Sequence, residues 1–220
     1  MTHMTLHAFG SIVASLVILA GCSSDPNQSA LLKQTFNKSA PLEPSATFLA
    51  LQNSGAPTYV AGLQNKKDAY TLFVRQTVNA KDEETWISPD HLSLGMKNGM
   101  IIATRGFGND IYAADVGGTL SALQKDDEVS ITEHFITPLS GSSQVERLAF
   151  RCQVTHQSRE PVSLSESYTA DTDLFYETCR NGRMNFQNLF WVERKTKRIV
   201  QSRQWINEET GELALRLIVE

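Results

Sequence analysis

Across residues 46–220 the apolar positions come in short runs, broken at roughly ten-residue intervals by Gly, Pro, Asn or Asp. No stretch sustains a helical period, so the pattern predicts a mainly β, antiparallel domain, barrel-like or a sandwich. The first clear strands are residues 59–63 and 70–78. In the second, Tyr70, Leu72, Val74 and Val78 share one face, Thr71 and Thr77 take the other, and Phe73 breaks strict alternation. Trp86-Ile87 closes the next segment before Ser88-Pro89-Asp90. Leu92-Ser93-Leu94 connects to Met100-Ile101-Ile102 through Lys97-Asn98-Gly99, and Asn-Gly is the strongest short hairpin signal.

Further along, Leu148, Phe150, Cys152 and Val154 alternate with Arg147, Arg151 and Gln153, the pattern of a half-buried strand. Residues 174–179 form a second strand, and the Ser-rich stretch 161–170 between them is expected to be a loop. Residues 113–123 read as a loop with a short helix, because Gly117-Gly118 weakens a helix by about 1 kcal/mol per glycine. Three strand-length runs, 186–192, 198–206 and 213–219, with turns at 195–197 and 207–211, predict a C-terminal β-meander.

The N-terminal pattern is different. Residues 9–19 are an apolar run, shorter than the ~20 residues a membrane-spanning helix requires. The run leads directly into Leu19-Ala20-Gly21-Cys22 and then into a polar stretch. Small residues before a cysteine admit a processing peptidase, and the thiol accepts a diacylglycerol, so this reads as a lipobox. Residues 1–21 are then a lipoprotein signal peptide, although only His3 and His7 stand where Lys or Arg usually precede the apolar run. Cys22 becomes the lipidated N-terminus, and Ser23, in place of an inner-membrane-retaining Asp, implies outer-membrane sorting with the chain facing the periplasm. Residues 22–45 form the tether, with a short helix entered at Asp25-Pro26, carrying Leu32 and Phe36 on one face, and stopped by Pro41 and Pro44. Residues 46–220 make a single β-rich domain.

Charge and cysteine count narrow the function classes. With 20 Lys and Arg against 24 Asp and Glu, the net charge is -4, which argues against nucleic acid as a partner. One of the three cysteines is used for lipid, leaving Cys152 and Cys179. In an oxidising compartment that pair suggests one disulfide, which would restrict the unfolded chain by roughly 3.5 kcal/mol; two buried free thiols are the alternative.

Candidate chemistry is sparse. Arg105-Gly106-Phe107-Gly108-Asn109-Asp110 lacks the third glycine and the βαβ setting of a dinucleotide loop, so it reads as a tight turn with an exposed arginine. Asp126-Asp127-Glu128 lacks the alternating oxygen ligands of a calcium loop and reads as a solvated turn. His91, His134 and His156 are isolated in sequence, without zinc-ligand spacing, and no Gly-x-Ser-x-Gly elbow occurs. No catalytic residue, metal or cofactor is therefore predicted. The most distinctive positions are Gln201, Arg203 and Trp205, which share one face of a strand while Ser202 and Gln204 take the other. An aromatic beside amide and guanidinium groups can grip a sugar by stacking and hydrogen bonding. The alternative is that Trp205 is core and Arg203 pairs with an acid.

The lipobox at Cys22, Asn98-Gly99 followed by Ala103-Thr104-Arg105-Gly106-Phe107-Gly108-Asn109-Asp110, the pair Cys152 and Cys179, and Gln201-Ser202-Arg203-Gln204-Trp205-Ile206 with Gly211 resemble the YjbF family, the group 4 capsule polysaccharide lipoproteins. The resemblance spans essentially the whole mature chain. It implies a β-barrel-like fold and an accessory, non-enzymatic role in secretion or assembly of capsule or exopolysaccharide, with polysaccharide and outer-membrane β-barrel or export proteins as partners. It supplies no catalytic residues. A periplasmic enzyme that modifies the polymer is the competing class, and a glycosidase would need two positioned carboxylates, whereas the acids here cluster at turns.

Overall fold

The computed structural model describes residues 43–66, 69–125, 127–139 and 146–219. The signal segment, Cys22, the helix expected after Asp25-Pro26, and Asp126 lie outside the described residues. Within 41–220 the chain forms one compact unit.

Helix α1 spans Ala46–Asn53. Pro44 lies just before this helix; the helix it was expected to stop lies outside the described residues. Ser45 is its N-cap, with Oγ accepting from the Phe48 amide at 3.1 Å. Phe48 is its buried residue. Twelve strands follow: β1 (Thr58–Leu63), β2 (Tyr70–Val78), β3 (Glu83–Ile87), β4 (Ser93–Lys97), β5 (Met100–Arg105), β6 (Ile111–Asp115), then helix α2 (Gly117–Leu123), β7 (Val129–Pro138), β8 (Leu148–Ser163), β9 (Thr169–Arg180), β10 (Asn185–Glu193), β11 (Ile199–Asn207) and β12 (Gly211–Ile218). All belong to one antiparallel sheet in the order β5-β4-β3-β2-β1-β12-β11-β10-β9-β8-β7-β6. The sheet is the expected mainly β, barrel-like domain with its C-terminal meander β10–β12, and its first and last strands are β5 and β6, neighbours in sequence.

The seam between β5 and β6 is held by side chains. Thr104 Oγ1 donates to Asp110 Oδ1 at 2.7 Å and accepts from the Ile111 amide at 2.9 Å. Asp110 also accepts from the amides of Gly106 and Phe107 at 2.9 and 3.1 Å, and Arg105 Nη1 donates to the Ile111 carbonyl at 3.0 Å. The glycine-bearing turn therefore spends its amide donors on its own aspartate, the physical reason it does not present a phosphate cradle.

At the Asn98-Gly99 hairpin both residues have positive φ, 45° and 85°, as the predicted tight turn demands. Two expectations change. The expected loop 161–170 is shorter: 161–163 end β8 and 169–170 begin β9, leaving 164–168 as the connection. Pro161 is tolerated because β7 pairs with β8 only as far as Val129↔Thr155, leaving the rest of that edge, among the described residues, without a neighbour that needs the missing N–H. Residues 111–115, expected as loop from 113 on, form β6 against β7. Gly118 of α2 has a packing reason: a Cβ there would lie 3.2 Å from the Glu133 carbonyl oxygen, so glycine lets α2 rest on β7.

Phe73, Trp86, Leu94, Phe150, Phe186, Ile206 and Leu215 form one buried cluster, and Leu120, Ala122 and Leu123 of α2 pack with Met100, Phe175, Phe190 and Ile199 in a second. The helix thus fills part of the sheet interior.

Candidate functional site

Strand β11 alternates as its sequence predicts: Ser202, Gln204 and Ile206 are buried, while Gln201, Arg203 and Trp205 are half-buried on the opposite face. Gln204 is committed inward. Its Oε1 accepts from the Ile101 amide at 2.8 Å, and its Nε2 donates to the Gly99 carbonyl at 2.8 Å and to Ser202 Oγ at 2.9 Å. A Cβ on Gly99 would stand 2.7 Å from the Ile199 Cβ, so the hairpin tip can approach β11 only as glycine. The β11–β12 turn is tied to the β5–β6 loop in the same way, by Asn207 Nδ2 to the Asn109 carbonyl (2.8 Å) and Thr210 Oγ1 to the Phe107 carbonyl (2.9 Å).

The outward face forms two cross-strand rows. One runs Arg203, Ala214, Gly62, Tyr70 across β11, β12, β1 and β2; the other runs Trp191, Gln201, Arg216, Val60 across β10, β11, β12 and β1. In the first row the two central positions carry almost no side chain, and the residues at either end are large. The result is a groove of about 640 Å³ whose lining includes Lys66, Tyr70, Gln201, Arg203 and Arg216. Tyr70 is 74% exposed. Two of its ring carbons lie 3.1 Å from the position a Cβ on Gly62 would take, so the ring rests on the glycine.

The structure divides the three predicted site residues. Gln201 and Arg203 line the groove; Trp205 does not. Its ring stacks on Phe186 with centroids 4.9 Å apart and planes 9° from parallel, against the core. Arg203 Nε sits 3.0 Å from Glu212 Oε2, an ion contact without hydrogen-bond alignment. Arg216 Nε donates to Gln201 Oε1 at 2.6 Å. On the other side of Tyr70, a smaller pocket of about 310 Å³ is lined in part by Asp90 and Glu209. Both acids are engaged, Asp90 Oδ1 by Ser88 Oγ at 2.5 Å and Glu209 Oε2 by Asn109 Nδ2 at 3.1 Å.

A second polar constellation, missed by the sequence reading, lies inside the sheet. Glu177 on β9 is fully buried. Its Oε1 receives Thr119 Oγ1 of α2 at 2.5 Å and stands 3.2 Å from His134 Nδ1 of β7, while its Oε2 receives Asn188 Nδ2 of β10 at 2.7 Å. Burial pushes this carboxyl up, but the hydrogen bond and charge of His134 and the hydrogen bonds from Thr119 and Asn188 outweigh it, holding the group below the usual carboxylate value. The disulfide Cys152–Cys179 joins directly opposed residues of β8 and β9 beside it. Ligand atoms of His134, Glu177 and both cysteines lie within 4.8 Å of one another. A zinc site uses thiolates, and sulfurs bonded to each other are not thiolates, so in the disulfide state the cluster works as a hydrogen-bonded network around the Glu177 carboxylate. The one signal available in sequence was Glu177-x-Cys179, two residues apart and hence on one strand face.

No helix among the described residues is long and apolar enough to cross a membrane. The crystal structure of the hypothetical lipoprotein YmcC from Escherichia coli K12 has the same fold, with a TM-score of 0.65 at 17% identity over 97% of this chain and 98% of that one. No curated protein matches the sequence. Over residues 31–218, which take in every element described above, the sequence matches the family described as group 4 capsule polysaccharide lipoprotein gfcB, YjbF, and the chain belongs to that family.

Proposed function

We propose that this protein is a non-enzymatic accessory of capsule or exopolysaccharide secretion or assembly. Lipid on Cys22 holds it at the outer membrane, facing the periplasm, where it works beside a β-barrel or export protein. The observation that carries the reading is the outward groove across β11, β12, β1 and β2: an open trough with an exposed aromatic ring and long polar side chains at its margins. Such a surface suits an extended polymer, whose sugar rings offer apolar faces for stacking and hydroxyls for hydrogen bonding. Its described lining contains no Asp or Glu, so it does not offer the paired carboxylates that glycoside hydrolysis requires. Membership of a capsule polysaccharide lipoprotein family supports the same context.

The test is deletion of the gene in its own host, complemented by wild type or by an Asp90→Asn, Glu209→Gln double variant. Loss of surface polysaccharide on deletion, restored in full amount and unaltered chain length by both forms, is the expected result. Normal surface polymer in the deletion strain would overturn the role. Polymer of altered length with the double variant would move the assignment to an enzyme.

A further inference from the structure

We infer that the groove is specific for a polyanionic glycan, a chain bearing uronic-acid carboxylates, which stacks a sugar ring on Tyr70 while Arg203, Arg216 and Lys66 meet its charges. This rests on the reading above and adds the chemical class of the polymer. The argument begins with charge. The whole chain has a net charge of -4, yet the described residues lining this groove include three cations and no carboxylate. A surface drawn without selection from this composition would carry more acids than bases, so the local sign is inverted where the trough is. Glu212 beside Arg203 neutralises part of that charge from outside the lining; it engages Nε and leaves the terminal nitrogens of the guanidinium without a described partner. Arg216 likewise uses Nε on Gln201. Two guanidinium forks remain with their paired terminal donors available, the geometry that matches a carboxylate bidentately.

The second observation is shape. Ala214 and Gly62 form the floor of the row between Arg203 and Tyr70, and the Tyr70 ring lies on Gly62 with 74% of the residue open. A tyrosine left this exposed contributes little to the core. A ring propped against a glycine, a short distance from guanidinium groups, pairs an apolar platform with charge readers, which is what an acidic sugar presents in return: one C–H face and one carboxylate.

The experiment uses the full lipidated protein in detergent micelles and measures binding of polygalacturonate, of neutral dextran, and of vesicles containing anionic phospholipid. The expected result is polygalacturonate binding that is at least tenfold tighter than dextran binding and weakens as salt is raised from 50 to about 500 mM. Arg203→Gln with Arg216→Gln should lower it at least tenfold, and Arg203→Lys with Arg216→Lys should restore a substantial part. Tyr70→Ala, at an exposed position, should lower it at least fivefold with the thermal midpoint unchanged, which keeps the test sharp if the arginine double variant folds poorly. Equal binding of dextran, absence of polygalacturonate binding at millimolar uronate, or arginine-dependent capture of the vesicles in place of the polymer would each overturn the inference. Those outcomes leave the export role to the deletion test, so the two can fail separately.

Discussion

The carboxamide of Gln204 crosses the sheet interior to the main chain of Ile101, accepting its amide hydrogen at 2.8 Å, and in the same gesture donates to the Gly99 carbonyl. The pairing side of β5 that faces away from β4 is thus completed by a side chain from β11. A buried amide left without a partner costs about 1–3 kcal/mol, so Gln204→Leu, which removes the acceptor for Ile101 and the donor for Gly99, should destabilise the domain by roughly 2–5 kcal/mol. Thermal or urea unfolding measures this, and a change below about 0.5 kcal/mol would show that the bridge is not needed.

Glu177 gives the acid side of the stability curve a specific origin. Its carboxyl titrates lower in the folded chain than in the unfolded one, so it contributes stability that is complete above the unfolded value of about 4.3 and is lost as pH falls through the folded value. Glu177→Gln should be less stable than wild type at pH 7 and should lose less on going from pH 6 to pH 3. Parallel midpoint curves for the two proteins would remove Glu177 from that role.

His134 is the partner whose loss strands this buried charge. His134→Ala should cost about 3–5 kcal/mol, and the combined His134→Leu, Glu177→Leu variant should recover much of it by removing both ends of the pair. Denaturant midpoints of the three variants decide the point; equal losses in single and double variants would contradict a coupling between the two side chains.

Cys152 and Cys179 face each other in register and are bonded. Non-reducing peptide mapping of the protein isolated from its host should recover them as one cross-linked peptide. Cys152→Ser with Cys179→Ser should lower stability by roughly 3 kcal/mol, since closing the intervening loop restricts the unfolded chain. Recovery of both as free thiols would remove the staple.

Arg203 sits at the groove margin with its side chain 30% exposed and that of Glu212 26%, so water reaches both charged groups although Nε itself is buried. Arg203→Ala should therefore reduce polymer export while changing stability by no more than about 0.5 kcal/mol. Loss of export together with a large fall in thermal midpoint would return this side chain to a structural role.

Much of the strand plan was legible in order along the chain, because a strand's two-residue alternation and a turn's Asn-Gly are local: each is decided by side chains and φ values within a few residues. That is why the Asn98-Gly99 hairpin, the extent of β2, and the opposed faces of β11 could be read directly; the buried side of β2 could not, since Phe73 is fully buried while Tyr70 and Val78 are exposed. The same local rules misread the two ends of 161–170, residues 161–163 and 169–170, because whether a proline fits a strand depends on which edge has a neighbour, and that is a property of the sheet. Pairing of β1 with β12, which joins the two ends of the domain, has no local signature. It sets Gly62 between Ala214 and Tyr70, and so it alone creates the groove that Gln201 and Arg203 line; a one-residue slip would turn these floor residues inward. Trp205, grouped with them by alternation, was drawn to the core by Phe186 on the neighbouring strand. The meeting of His134 with Glu177 and Thr119 had to wait for the fold for the same reason: strands β7 and β9 and helix α2 converge only when the sheet curls, and burial then couples side chains that sequence spacing left unrelated.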